Sequence, residues 1–110
     1  MTNRFLAYEN AIDCVRALRG LIATVRRKNG SLATQIRKAA QSMALNVAEG
    51  RGRGGRDRGY HFSVALGSAR ETLAGLDIAE AFGDLDPKAT VRARQLLDRE
   101  CRLLYGLTRE

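Results

Sequence analysis

The sequence predicts an all-α protein, an antiparallel up-down-up-down four-helix bundle, and three observations lead there. Four successive segments carry apolar residues at three- and four-residue steps, the period of one helix face. No segment alternates with the two-residue period of a half-buried strand. Short breaks holding glycine, serine or aspartate separate the segments, and short connections between helices of similar length favour antiparallel neighbours. The 110 residues are expected to form one domain, 1–110. A domain of that size buries roughly two-thirds of its unfolded surface without disulfides or metal.

The first helix, about residues 4–28, places Tyr8, Ile12, Val15, Leu18, Ile22 and Val25 on one face, and Gly30 is expected to end it. Ser31 is the expected cap of the second helix, about 32–49, whose stripe is Leu32, Ile36, Ala40, Met43 and Val47. Arg37 and Lys38 fall on its exposed side, and Gly50 is expected to supply a left-handed terminus. Asp57 is the expected cap of the third helix, about 58–82, with Phe62, Leu66, Ala69, Leu73, Leu76 and Ala79 inward and Gly83 as its stop. The fourth, about 87–107, starts at the pair Asp86-Pro87, because Asp accepts orphan amide hydrogens of a first turn and Pro fits the first helical position. It carries Val91, Leu97, Cys101 and Leu104 on one line and Leu96, Leu103 and Leu107 on an adjacent one. That is wider than a single core seam needs, so the second line is the expected subunit interface; the alternative is a wide core face.

Between the second and third helices lies GRGRGGRDRG, residues 50–59, with five Gly and four Arg. Glycine lets backbone approach a ligand closely, and arginine offers a planar fork of donors suited to phosphate oxygens. The Gly/Arg connector, 50–57, is therefore the expected place to meet a polyanion, with an ordinary solvated turn as the alternative. Lys and Arg number 19 against 12 acids, a formal charge of +7 that attracts nucleic acid or an anionic surface. Sixteen of those bases are Arg, which fits phosphate recognition and equally a genome rich in G and C. In the expected topology Arg51, Arg53, Arg56 and Arg58 lie at the end that holds both termini, near Arg4 and Arg109. Arg26, Arg27 and Lys28 form a second basic cluster at the other end, offset by Asp84 and Asp86. With no Trp and few other aromatics, stacking platforms for bases are scarce, which favours the backbone of structured RNA or duplex DNA over base readout.

Several classes are excluded. Arg4, Glu9, Asp13, Arg16 and Arg19 interrupt any apolar run that would serve a secretory signal, so a cytoplasmic location is expected. No apolar run reaches the roughly 18 to 20 residues of a membrane span. Cys14 and Cys101 sit at apolar helical positions without CxxC or Cys/His grouping, as buried free thiols. No Glu-x-x-His pair suggests a di-iron centre, and GRGRGG lacks the GK[ST] ending of a phosphate loop. Asp57 and His61 stand at i and i+4, but no Ser or Cys nucleophile accompanies them. A non-enzymatic protein without metal or cofactor is expected.

The segment TQIRKAAQSMALNVAEGRGR, followed by VALGSARE, resembles the four-helix-bundle family of proteins encoded in 23S rRNA intervening sequences. The matching residues are Gln35, Ile36, Arg37, Lys38, Ala39, Ser42, Asn46, Ala48, Glu49 and Gly50, then Ala65, Gly67, Ser68 and Glu71, within a similarity over roughly residues 8–105. The chain departs from the family pattern at Arg58 and His61 and in its glycine-rich connector. The resemblance implies a four-helix bundle and a cyclic homopentamer. A related branch, the accessory variability determinant of diversity-generating retroelements, implies nucleic-acid binding and a reverse transcriptase as partner. Ser42, Asn46 and Glu49 share one helical face, and with Ser68 and Glu71 they are expected to form a polar row of interhelical hydrogen bonds, Glu49 or Glu71 pairing an Arg.

Two functions remain: a nucleic-acid-binding oligomer that grips phosphates through its arginines, or an adaptor ring that docks a protein partner without binding nucleic acid.

Overall fold

The structure, a computed structural model, describes residues 2–110, and those residues form four helices and one short 3-10 turn. Helix α1 spans Asn3–Arg26, α2 Gly30–Arg51, α3 Gly55–Ala81 and α4 Val91–Thr108, with the 3-10 turn at Pro87–Thr90 leading into α4. Each helix packs on two others, α1 on α2 and α4, and α3 on α2 and α4. The four therefore enclose one core. At ~1.5 Å per residue, the 27 residues of α3 run nearly the whole 42 Å length of the molecule.

Local chemistry sets the helix ends. Thr2 caps α1, its hydroxyl accepting from the Phe5 amide at 3.3 Å. The cap of α2 is Asn29, whose Oδ1 accepts from the Leu32 amide at 3.1 Å, so Gly30 and Ser31 lie inside the helix where a stop and a cap were expected. Gly83 adopts φ +79 just beyond α3, as its role of helix stop requires. Asp86 accepts from the Lys88 amide at 2.9 Å with Pro87 in the first position, and the turn it starts is 3-10 before α4 proper begins at Val91.

The Gly/Arg connector is much shorter than residues 50–57, because only Gly52 to Gly54 lie outside a helix. Gly50 is helical and buried, and the left-handed backbone falls instead on Gly55, φ +60, where α3 begins. Arg53 stitches the turn, donating to Glu49 at 3.3 Å and to Asp57 at 3.0 Å. Asp57 is thus committed to Arg53, and the N-cap of α3 is Gly54, which has no side chain to offer.

Close approach defines the α2/α3 seam. A Cβ on Gly50 would stand 2.7 Å from the Phe62 ring, and one on Gly75 would stand 2.5 Å from Ile36 Cγ1. Ser42 meets Ser68 and Asn46 meets His61 along the same seam, the partners receding along α2 as they advance along α3, so these two helices run antiparallel. Gly75→Ala is expected to destabilise the protein by about 1–3 kcal/mol despite alanine's better helix propensity, because the clash falls on the stem of the buried Ile36 and not on a flexible tip. A lowered urea midpoint would show it; an unchanged or raised midpoint would mean that the seam relaxes freely.

The core of α1 is Ala7, Ala11, Cys14, Leu18 and Val25, a face rotated from the expected one. Tyr8, Ile12 and Ile22 are only half-buried and Val15 is exposed. On α4, Leu96 and Leu107 are buried in the shared core and Leu103 packs half-buried against it. The adjacent line of α4 is therefore core, not a free subunit interface: α4 contacts both α1 and α3, and two neighbours occupy two apolar lines.

Candidate nucleic-acid interface

The turn between α2 and α3 gathers Arg51, Arg53, Arg56 and Arg58, the first three exposed and Arg58 half-buried. Arg51 lies over the Tyr8 ring with its guanidinium 3.9 Å from the ring centre, which ties this turn to the first turns of α1, where Arg4 is half-buried. At the other terminus Arg109 donates to the Tyr105 hydroxyl at 2.9 Å and lies over its ring. Arg53 is not free: the hydrogen bonds it donates to Glu49 and Asp57 hold its pKa above the usual guanidinium value. Among the described residues, Arg51, Arg56 and Arg58 make no ion pair. The start of α3 between them has no side-chain cap, so its first amides and the positive end of its dipole face outward, partly balanced by Asp57.

Arg26, Arg27 and Lys28 are exposed at the α1/α2 turn, Arg26 donating to the Thr34 hydroxyl at 3.2 Å. No ion pair joins them to Asp84 or Asp86 among the described residues, so the expected local offset is not made by contact. Arg37 does not join the α2/α3 turn; with Arg19, Arg26 and Arg27 it borders a shallow depression at the α1/α2 end. Lys38 is exposed on α2.

The polar row exists, with altered membership. Ser68 Oγ donates to Ser42 Oγ at 2.8 Å, Asn46 Nδ2 donates to the Ser42 carbonyl at 2.9 Å, and Asn46 Oδ1 lies 2.9 Å from His61 Nδ1. His61 completes the row. Glu49 leaves it for Arg53, and Glu71 is exposed with no hydrogen bond or ion pair among the described residues. Ser42, Asn46, His61 and Ser68 thus satisfy one another along a half-buried seam between α2 and α3.

Sequence reasoning missed a second polar pair deep in the core. Asn10 Nδ2 donates to Glu100 Oε1 and to the Leu96 carbonyl, both at 2.9 Å, and Glu100 is fully buried. Burial pushes the Glu100 carboxyl up to about 7, against the smaller opposing effects of Asn10 and Arg99. Burial, then the nearby Glu100 charge, raises the Cys14 thiol well above the usual thiol range, so Cys14 is an inert core thiol. The signal was present: Glu100 stands three residues after Leu97 and four before Leu104, a core position. Glu80 is likewise structural, accepting from the Thr90 hydroxyl at 2.9 Å and from Arg94 Nε at 3.0 Å to fasten the start of α4 onto α3.

Among the described residues no group of three His, Cys, Asp or Glu side chains is placed to hold a metal, and no helix is long and apolar enough to cross a membrane. Fold and surface together define a basic four-helix protein with exposed arginines at its helix turns and along its helices. The sequence matches the family model of the 23S rRNA-intervening sequence protein over residues 3–106, and the chain belongs to that family. Its fold is that of a crystal structure of a protein of unknown function from the S23 ribosomal protein family of Bacteroides thetaiotaomicron. The two agree with a TM-score of 0.87 at 16% identity, over 99% of this chain and 100% of the other. The curated proteins contain no match.

Proposed function

We propose that the protein is a non-enzymatic, oligomeric nucleic-acid-binding protein that contacts the backbone of structured RNA or duplex DNA. The observation that carries this reading is the uncapped start of α3, with Arg56 and Arg58 in its first turn and Arg51 at the end of α2, three guanidinium groups without carboxylate partners among the described residues, in a chain of formal charge +7. Helix-start amides and arginine forks both suit phosphate oxygens. An up-down-up-down order of helices adds Arg4 and Arg109 to this end. Arg26, Arg27 and Lys28 are the second contact. A ring of such copies, with a pentamer as the family resemblance implies, would repeat the arginines around a polyanion, and a reverse transcriptase is the proposed protein partner.

The test is a salt titration of binding to a structured RNA and a DNA duplex. Log affinity should fall with log salt, and Arg51, Arg56 and Arg58 replaced together by Ala should flatten the slope by about 2–3 and weaken binding roughly tenfold or more. Unchanged binding in the triple variant would remove this end as the contact. Absence of binding by the parent protein at low salt would leave the second reading, a protein-docking adaptor. That reading rests on the same exposed arginines, Arg51 and Arg56, which suit an acidic protein surface as well as phosphate.

A further inference from the structure

Two apolar surfaces lie outside the core. The first is concave: Ile12, Val15 and Ile22 of α1 face Ala44 and Leu45 of α2 across a groove of ≈ 710 Å³. Arg19 and Arg37 stand on its rim, and neither has an ionic partner among the described residues. The second is convex and runs along α3. Tyr60, Val64, Gly67, Ala74, Ile78 and Phe82 fall at three- and four-residue steps on the side away from the core, with Tyr60, Ile78 and Phe82 65%, 45% and 71% exposed. Glu71 sits in this stripe, is its one charged member, and is unpaired.

We infer that the Gly67–Ile78 ridge of one copy seats in the α1/α2 groove of the next, with Glu71 reaching Arg37 and Arg19 on the rim. The inference rests on the oligomeric reading above and supplies its interface. Four features match. The groove extends from Ile12 to Ile22 and the ridge from Gly67 to Ile78, each about 15 Å of helix. The ridge carries the small residues Gly67 and Ala74 flanking Glu71, which lets a helix sink into a groove rather than rest on it. Nothing among the described residues lies within 4 Å of the place a Gly67 Cβ would occupy, so none of them calls for a glycine that costs the helix about 1 kcal/mol relative to Ala. Finally, the unpaired acid of the ridge complements the unpaired bases of the rim. Because ridge and groove are different surfaces, the contact is head-to-tail, the kind that closes into a ring when its rotation permits.

Light-scattering mass decides the matter, with circular dichroism run on each variant. The parent protein is expected to be a multimer, and Ile78→Asp, Glu71→Arg and Arg37→Glu are each expected to give subunit mass with helicity intact. Glu71→Arg and Arg37→Glu combined in one chain are expected to regain the multimer, since the ridge of every copy then meets a groove of opposite charge whatever the number of copies. A multimer indifferent to all three substitutions would overturn this interface while leaving the oligomeric reading in place. A parent protein of subunit mass would overturn both, and loss of nucleic-acid binding by the Arg37 variant without any change of mass would assign that rim to phosphate instead.

Discussion

Glu100→Gln is expected to stabilise the protein by up to about 3 kcal/mol above pH 7 and to change little at or below pH 4.5. Glu100 is fully buried between α4 and α1, where Asn10 donates to one carboxylate oxygen at 2.9 Å and the other, Oε2, has no partner. A carboxylate so placed loses its hydration and recovers one hydrogen bond, which explains a pKa raised from 4.5 to about 7. The unfolded chain therefore ionises Glu100 more readily than the folded one. Its contribution to stability is complete below pH 4.5, shrinks as the pH rises and is lost above about 7.

The other groups near Glu100 do not blur that window. Cys14 on α1, its thiol pushed well above the usual range by burial, stays protonated throughout. Glu80, held below its ordinary value by Arg94 and Thr90, works in the opposite sense and only at lower pH. Gln keeps the acceptor for Asn10 and puts a neutral donor where Oε2 was, while Asn10 Oδ1, the other buried atom without a partner, gains a potential hydrogen. Urea midpoints of the two proteins at about pH 5 and about pH 8 are the measurement. Curves that differ equally at both values would show that the carboxyl does not change its charge on folding across this range.

How much of this was visible in the sequence depends on what each signal specifies. Spacing gave the four helices, Gly83 marked the end of α3, and Asp86-Pro87 marked a capped helical turn that is 3-10 and precedes α4 by four residues, because capping is decided by a few adjacent atoms. The connector misled because a run of glycines reads as flexible chain. Gly50 is there for another reason, the 2.7 Å a Cβ would leave to the Phe62 ring, and that contact joins residues far apart in sequence. Face assignment failed in the same way. Leu18 and Val25 belong to two overlapping apolar lines on α1, and only the positions of α2 and α4 decide that Ala7, Ala11 and Cys14 go inside while Val15 stays out. Small residues mark the tightest packing, and a search for large apolar side chains passes over them. Among the arginines, composition showed the excess, but the capture of Arg53 by Glu49 and Asp57 needed the turn's geometry.

The same uncertainty of face makes Leu96→Asp the sharpest test of the packing. On a free interface this substitution would release a folded subunit. Leu96 is 6% exposed, its carbonyl accepts from Asn10, and it lies in the core shared by all four helices, so Leu96→Asp is expected to unfold the chain. The buried leucine contact is lost and an unpaired carboxylate must be desolvated within one turn of Glu100, together about 3–5 kcal/mol or more. Domains of this size have only roughly 5–15 kcal/mol to lose. Ile78→Asp makes a comparable chemical change on a surface 45% exposed and should leave helicity close to that of the parent, its urea midpoint falling only by what assembly contributes. Circular dichroism at equal protein concentration separates the two outcomes. A Leu96→Asp protein that stays helical, resists urea like the parent and scatters as a single subunit would return α4 to the outside of the subunit and displace α3 from the interface. Lost helicity in Leu96→Asp beside a folded, dissociated Ile78→Asp would put α4 inside and the ridge of α3 outside, because an added charge unfolds a core but only parts two copies at a surface.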